Sequence, residues 1–174
     1  LPILGVIEPG AKAAVAATRS GKIGVLATAG TISSGAYPRA VATLSTRVET
    51  IGQAAPLLVP LAEEGWTEGE VPRLAARKYL ASLAEANVDV VVLGCTHYPL
   101  LRNVIEEEAK GLMGHEVSIV DSGHAAAKDV SAFLKERGLL NTSGAPPTTK
   151  LLVTDRPRSF AETAARFLGG DVPE

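Results

Sequence analysis

Residues 88–93, VDVVVL, constrain the fold more than any other stretch. A strand wetted on one side alternates apolar and polar residues. This one is apolar at nearly every position, as a parallel strand covered on both faces must be. Parallel strands need crossover connections, so the rest of the chain should alternate strands with helices. It does. β-branched runs at residues 4–7, 22–27, 47–51, 117–120 and 151–154 read as further strands. Helical patterns fall at 11–20, 35–44, 70–86 and 159–168, with two more opened by Pro99 and by Asp121 or Ser122. In 70–86 the apolar positions Val71, Leu74, Ala75, Tyr79, Leu83 and Ala86 recur at helical spacing. The helix after residue 121 carries the stripe Ala126, Val130, Phe133, Leu134 and Arg137. Residues 28–34 read as a Thr/Gly/Ser loop, 56–60 as an extended piece between prolines with a short helix after it, and 141–149 as a loop. The expected class is α/β, with layers built on mostly parallel sheets.

In such folds, sites lie at the carboxyl ends of strands. Three polar clusters fall there: residues 28–31 (TAGT), 94–97 (GCTH) and 121–123 (DSG). The formal net charge of −2 over 174 residues gives no electrostatic case for a nucleic-acid or anionic-membrane partner. One cysteine makes no internal disulfide, which fits a reducing, cytoplasmic setting. No apolar run approaches the roughly 20 residues of a membrane helix. The opening LPILGVIEPG has no basic flank and no methionine, and reads as the interior of a larger protein.

That cysteine, Cys95, has two readings. Cysteine is among the most buried residue types, so packing beside an apolar strand is the simpler one. Against it, the thiol lies past the strand end. Gly94 lets a ligand or another backbone come close. A helix opening about three residues later favours a thiolate. His97 stands near enough to hold a proton, or is a solvated turn residue. Metal binding is poorly supported, because His115 and His124 make no ligand-spaced motif with Cys95 and His97. A cysteine hydrolase would need an orienting acid besides Cys95 and His97, and Asp121 is a candidate. Asp121 and Ser122 are read first as a helix cap.

GCTHYPLL resembles the second cysteine signature of the aspartate/glutamate racemase family. LGVIEPGA, IGVLATAGTISSGAY, APLLVPLAEEGW, VDVVVLGCTHYPLL, IVDSG and LLVTDRPRSFAETAARFLG are similar, in order, to successive blocks of that family's glutamate racemase branch. The resemblance implies cofactor-independent interconversion of L- and D-glutamate by two thiols on opposite sides of the α-carbon, supplying D-glutamate for peptidoglycan. It makes Cys95 one of those thiols, with His97 assisting it and Glu63 a nearby carboxylate. Thr96, Thr28 and Thr31 would bind substrate. The local alternative for the two loop threonines is helix capping. The implied set needs no metal and no cofactor, takes glutamate as its small-molecule partner, and is often dimeric.

The family's first block carries an Asp-Ser pair, a Pro-Tyr-Gly loop and a cysteine followed by Asn-Thr; none of these occurs in the sequence. The expected organisation is therefore one nearly complete lobe over 1–116, holding the Cys95 site, and the carboxy-terminal part of the other lobe over 117–174. Such a chain carries one of two thiols. An amino-acid-binding fragment without chemistry, or a hydrolase using Cys95 and His97, are the alternatives.

Overall fold

The computed structural model describes residues 2–170 except 145, 147, 149, 155 and 156. By contacts the chain divides into a unit over Leu1–Phe133 and a second over Leu134–Glu174.

The first unit is built on a four-stranded, wholly parallel sheet of β1 (Lys22–Ala27), β2 (Glu49–Ala54), β3 (Val90–Leu93) and β4 (Ser118–Asp121), in the order β2-β1-β3-β4. The helices are α1 (Ile7–Ala17), α2 (Ala29–Ser34), α3 (Ala36–Leu44), α4 (Leu58–Glu63), α5 (Glu70–Glu85), α6 (Arg102–Met113) and α7 (Ser122–Glu136), with a 3-10 turn at Tyr98–Leu101. Side chains alternate across a strand, and β1 and β3 use both faces. Ile23, Val25, Ala27, Val90 and Val92 pack with α1 and α3 residues such as Ala14, Tyr37 and Val41. Leu26, Val91 and Leu93 pack on the other side with Leu58, Leu80, Leu83, Tyr98 and Ile105. All four residues of β3 are buried, as VDVVVL requires.

Gly24 of β1 fits this second face. A Cβ there would lie 2.9 Å from Leu83 Cδ1 and 3.3 Å from Val88 Cγ2, so the missing side chain is the notch that Leu83 fills. Between α5 and α6, Glu108 is buried and takes Arg77 at 2.7 Å and Arg73 at 3.5 Å, while Glu107 also pairs with Arg73.

The polar residue of VDVVVL is a clasp. Asp89 accepts from Thr18 Oγ1 at 2.6 Å and from the N–H groups of Arg19 and Ser20 at 2.7 Å each, closing the turn between α1 and β1. Burial raises its pKa, but the hydrogen bonds from Thr18, Ser20 and Arg19 outweigh that and leave it below the ordinary 3.8. A depressed carboxylate stabilises the fold above its unfolded value and loses that contribution as pH falls through its folded value. Asp89→Asn should lower stability by about 1 kcal/mol at neutral pH, the figure kept small by solvent screening. Urea titrations should show the gap from wild type closing as pH falls below about 4.

Several expectations are corrected. Residues 4–7 are not a strand: α1 starts at Ile7, with Pro9 tolerated in its first turn, and Ile3 and Leu4 are exposed. Residues 29–34 form α2, and Leu58 to Pro60 belong to α4 rather than to an extended piece. The buried face of α5 is Pro72, Ala75, Ala76, Leu80 and Leu83; Val71 and Leu74 stay exposed. The apolar stripe was read about one residue out of phase, because small alanines do not mark a face as clearly as leucines. On α7, Ser122 and Ala125 are buried while Val130 is exposed.

In the second unit, α8 (Pro157–Leu168) matches the helix expected at 159–168. Residues 151–154 are not a strand. Leu151, Leu152 and Val153 are exposed, and a strand exists only where a neighbour pairs with it. Part of the loop at 141–149 lies outside the described residues.

Candidate active site

The order β2-β1-β3-β4 places the switch point between β1 and β3, where the chain first turns one way to β2 and then the other way to β3. Ligands of open parallel sheets bind at the carboxyl ends of strands beside that point. Thr28 follows β1 and Cys95 follows β3 by one residue. Continuing the Leu26↔Leu93 register by two residues sets them side by side. Asp121 ends β4 on the adjoining strand. The three polar clusters do share one edge.

The Cys95 turn is rigidly based. Gly94 donates its N–H to the Leu26 carbonyl at 2.8 Å, and the Tyr98 N–H reaches the Cys95 carbonyl at 3.3 Å. Gly94 is not a gap left open for a ligand. A Cβ there would sit 3.0 Å from Ala27 Cβ and 3.1 Å from Tyr37 Cε2, so the space belongs to β1 and α3. The helical segment after the thiol opens as the 3-10 turn at Tyr98–Leu101, and α6 begins only at Arg102.

Cys95 is half-buried, and its Sγ lies 3.9 Å from His97 Nδ1. His97 Nε2 lies 3.4 Å from Glu63 Oε1, and Thr96 Oγ1 is 3.4 Å from His97 Nδ1. A carboxylate only accepts, so Glu63 suits an imidazole protonated at Nε2, whose Nδ1 faces the thiol as an acceptor. Four of the six residues named from the sequence thus form one connected group. Thr28 and Thr31 form the other pair: their hydroxyls are 3.0 Å apart, and Thr28 Oγ1 caps α2 by accepting from the Thr31 N–H at 3.4 Å. Capping is therefore one role they do have.

Asp121 does not orient His97. Its Oδ1 accepts from the N–H groups of Gly123 at 2.8 Å and His124 at 3.1 Å, capping α7. Ser122 is not the cap; its Oγ donates to the Leu93 carbonyl at 2.8 Å. A depression of about 550 Å³ lined by Glu106, Lys110, Gly114, His115, Glu116 and Val117 lies where β4 begins, away from the thiol. Its charges are mixed, and His115 Nε2 is already 3.1 Å from the Val88 carbonyl.

Tyr98 is the residue that sequence reasoning passed over. It is buried, and its hydroxyl donates to the Ala55 carbonyl at 2.8 Å. This ties the Cys95–His97 turn to the segment leading into α4, which carries Glu63. Burial, with the nearby Cys95 and Tyr79, pushes its phenol well above the ordinary range, so it stays a donor at any working pH. Tyr98→Phe would leave the buried Ala55 carbonyl with only the Leu58 N–H at 3.1 Å and is expected to lower stability by about 1 kcal/mol, readable by urea denaturation. The GCTHY order holds the signal, but nothing in spacing says where a tyrosine hydroxyl goes.

The Asp/Glu/Hydantoin racemase family model matches residues 1–130. A glutamate racemase of Geobacter metallireducens is 49% identical over 170 residues, covering 98% of this chain and 62% of the relative. That of Chlorobaculum tepidum is 42% identical, covering 100% of this chain and 62% of the relative. Among solved structures, a glutamate racemase isoform of Bacillus anthracis superposes with a TM-score of 0.89 at 34% identity, over 99% of this chain and 63% of that one. A Francisella tularensis glutamate racemase solved with D-glutamate gives 0.85 at 30% identity, over 99% and 62%. The chain belongs to the Asp/Glu/Hydantoin racemase family. It spans about 62% of the length of the curated relatives it matches.

Proposed function

We propose that this chain supplies one of the two proton-transfer faces of a glutamate racemase. The observation that carries the reading is the Cys95–His97–Glu63 chain, with Sγ–Nδ1 at 3.9 Å and Nε2–Oε1 at 3.4 Å, at the switch point of the sheet in a chain of the racemase family. His97 Nδ1 takes the thiol proton, and Glu63 steadies the resulting imidazolium. The Cys95 thiolate then removes the α-proton of glutamate, forming an S–H bond as the Cα–H pair is left on carbon. N–H and hydroxyl groups of the Thr96 turn and of the Thr28–Thr31 loop are the donors available to substrate carboxylates, and they suit a charge that grows during the reaction. Inversion needs a proton delivered from the other side. Cys95 is the only cysteine of the sequence, so the second thiol of the two-thiol mechanism is not on this chain.

In this reading residues 1–116, with β4 paired to β3 and the start of α7, form one lobe of the enzyme, and the residues that follow contribute to the lobe that bears the other thiol. The substrate is glutamate, the reaction needs no cofactor, and the product serves peptidoglycan synthesis in the cytoplasm. Among the described residues no helix is long and apolar enough to cross a membrane. A homodimer is the expected assembly.

The test is reconstitution. The chain is mixed with a polypeptide carrying the family's first-cysteine lobe, and D-glutamate formed from L-glutamate is followed. Turnover supports the assignment. A folded complex that binds glutamate and makes no D-glutamate would count against it.

A further inference from the structure

The backbone that carries Cys95 is held from behind by a buried serine hydroxyl and a buried tyrosine that the proposed proton transfer does not use. Ser122, the first residue of α7, is 7% exposed and donates to the Leu93 carbonyl at 2.8 Å. A serine has one hydroxyl proton. With that proton on Leu93, Ser122 Oγ has only lone pairs left for the neighbouring Tyr37 side chain. Tyr37 is 2% exposed, and its ring edge lies against Gly94, leaving no room for a side chain there. From α1, Gly10 completes the contact: a Cβ on it would be 2.9 Å from Ser122 Cβ and 3.5 Å from Tyr37 Cε1. Residues of α7 and α3 thus meet on Leu93 and Gly94, the two residues that precede the thiol, and α1 backs them through Gly10. Burial, with the charge of Asp121, pushes the Tyr37 phenol up despite the opposing effect of Ser122, so it remains protonated.

We propose that Ser122 and Tyr37 are positioning residues for Cys95, their hydroxyls acting in series to fix the Leu93–Gly94 peptide and so to aim Sγ at His97. The role rests on Cys95 being the proton-transfer base of the function proposed above. Ser122 is the member whose hydroxyl touches the strand. Tyr37 supplies both the ring that packs on Gly94 and the donor that orients Ser122.

The test reads the thiol without substrate, so its failure and the failure of the racemase reading are separate results. The chain and its Ser122→Ala and Tyr37→Phe variants are alkylated with iodoacetamide at neutral pH and at strongly alkaline pH, where any thiol is ionised. The ionisable groups nearest the thiol are His97 and Tyr98 on its own turn, with Glu63 of α4 behind His97. Positioning predicts that the ratio of the neutral to the alkaline rate falls about threefold to tenfold in both variants, because Sγ drifts from His97. Asp89→Asn is the control: it loosens the other end of β3 and should leave the ratio unchanged. Unchanged ratios in the folded variants would overturn the proposal, whether or not glutamate is racemised. Should Ser122→Ala not fold, Tyr37→Phe, which keeps the ring, decides alone.

Discussion

Cys95→Ala is expected to lower D-glutamate formation in the assembled two-lobe enzyme by a factor of about 10²–10⁴ or more, the usual weight of a positioned acid or base. Alanine cannot accept a proton, and no neighbour replaces it. His97 Nδ1 lies 3.9 Å from Sγ, and in the proposed step it takes the thiol proton rather than the substrate's. The fold should survive. Cys95 is only half-buried at the margin of the α4–α6 side of the core, so the change leaves little cavity. Glutamate binding should also persist, since the threonine hydroxyls and the N–H groups of the turn remain. The measurement is a D-glutamate-specific assay beside calorimetric titration: turnover lost, binding kept. Retained turnover would place the base elsewhere.

The largest effect on stability is expected at Leu83. It is fully buried, and its δ-methyls fill the notch over Gly24. Leu83→Ala should lower unfolding free energy by about 3–4 kcal/mol, as a leucine lost from a rigid core does. The notch makes a sharper statement possible. Gly24→Ala alone places a Cβ 2.9 Å from Leu83 Cδ1, and this overpacking should destabilise by about 1–3 kcal/mol. In the Leu83→Ala background the same methyl enters the vacated space and should be neutral or stabilising. Urea denaturation of the four proteins should give a coupling of at least about 1 kcal/mol. Additive effects would mean that the two side chains do not share that space.

What the sequence disclosed follows from how strongly each feature is forced. VDVVVL is parallel and doubly covered because no other environment suits an unbroken apolar strand, and β3 is central and wholly buried. The strand-end placement of Cys95, Thr28 and Asp121 follows from the same rule. The linkage of Cys95, His97 and Glu63 is different in kind. His97 is two residues from the thiol, but Glu63 arrives from α4 across the fold, and only the family resemblance pointed to it. Local pattern failed where an apolar run had no partner. Residues 4–7 and 151–154 have strand composition, yet among the described residues no strand pairs with them. It also failed where a hydroxyl had several uses. Asp121 and Ser122 read alike as caps, and the structure gives the cap to Asp121 and the Leu93 carbonyl to Ser122. Gly94 was legible as a close approach, but what approaches is the Tyr37 ring and Ala27, not a ligand.

Cys95 is proposed to work on one face of the glutamate α-carbon. The most direct test is to incubate this chain separately with L- and D-glutamate in D₂O and follow the α-proton by NMR. One enantiomer should lose its α-proton to solvent deuterium with its configuration kept, and Cys95→Ala should abolish the exchange. Binding of glutamate with no exchange of either enantiomer, or exchange that survives Cys95→Ala, would contradict it.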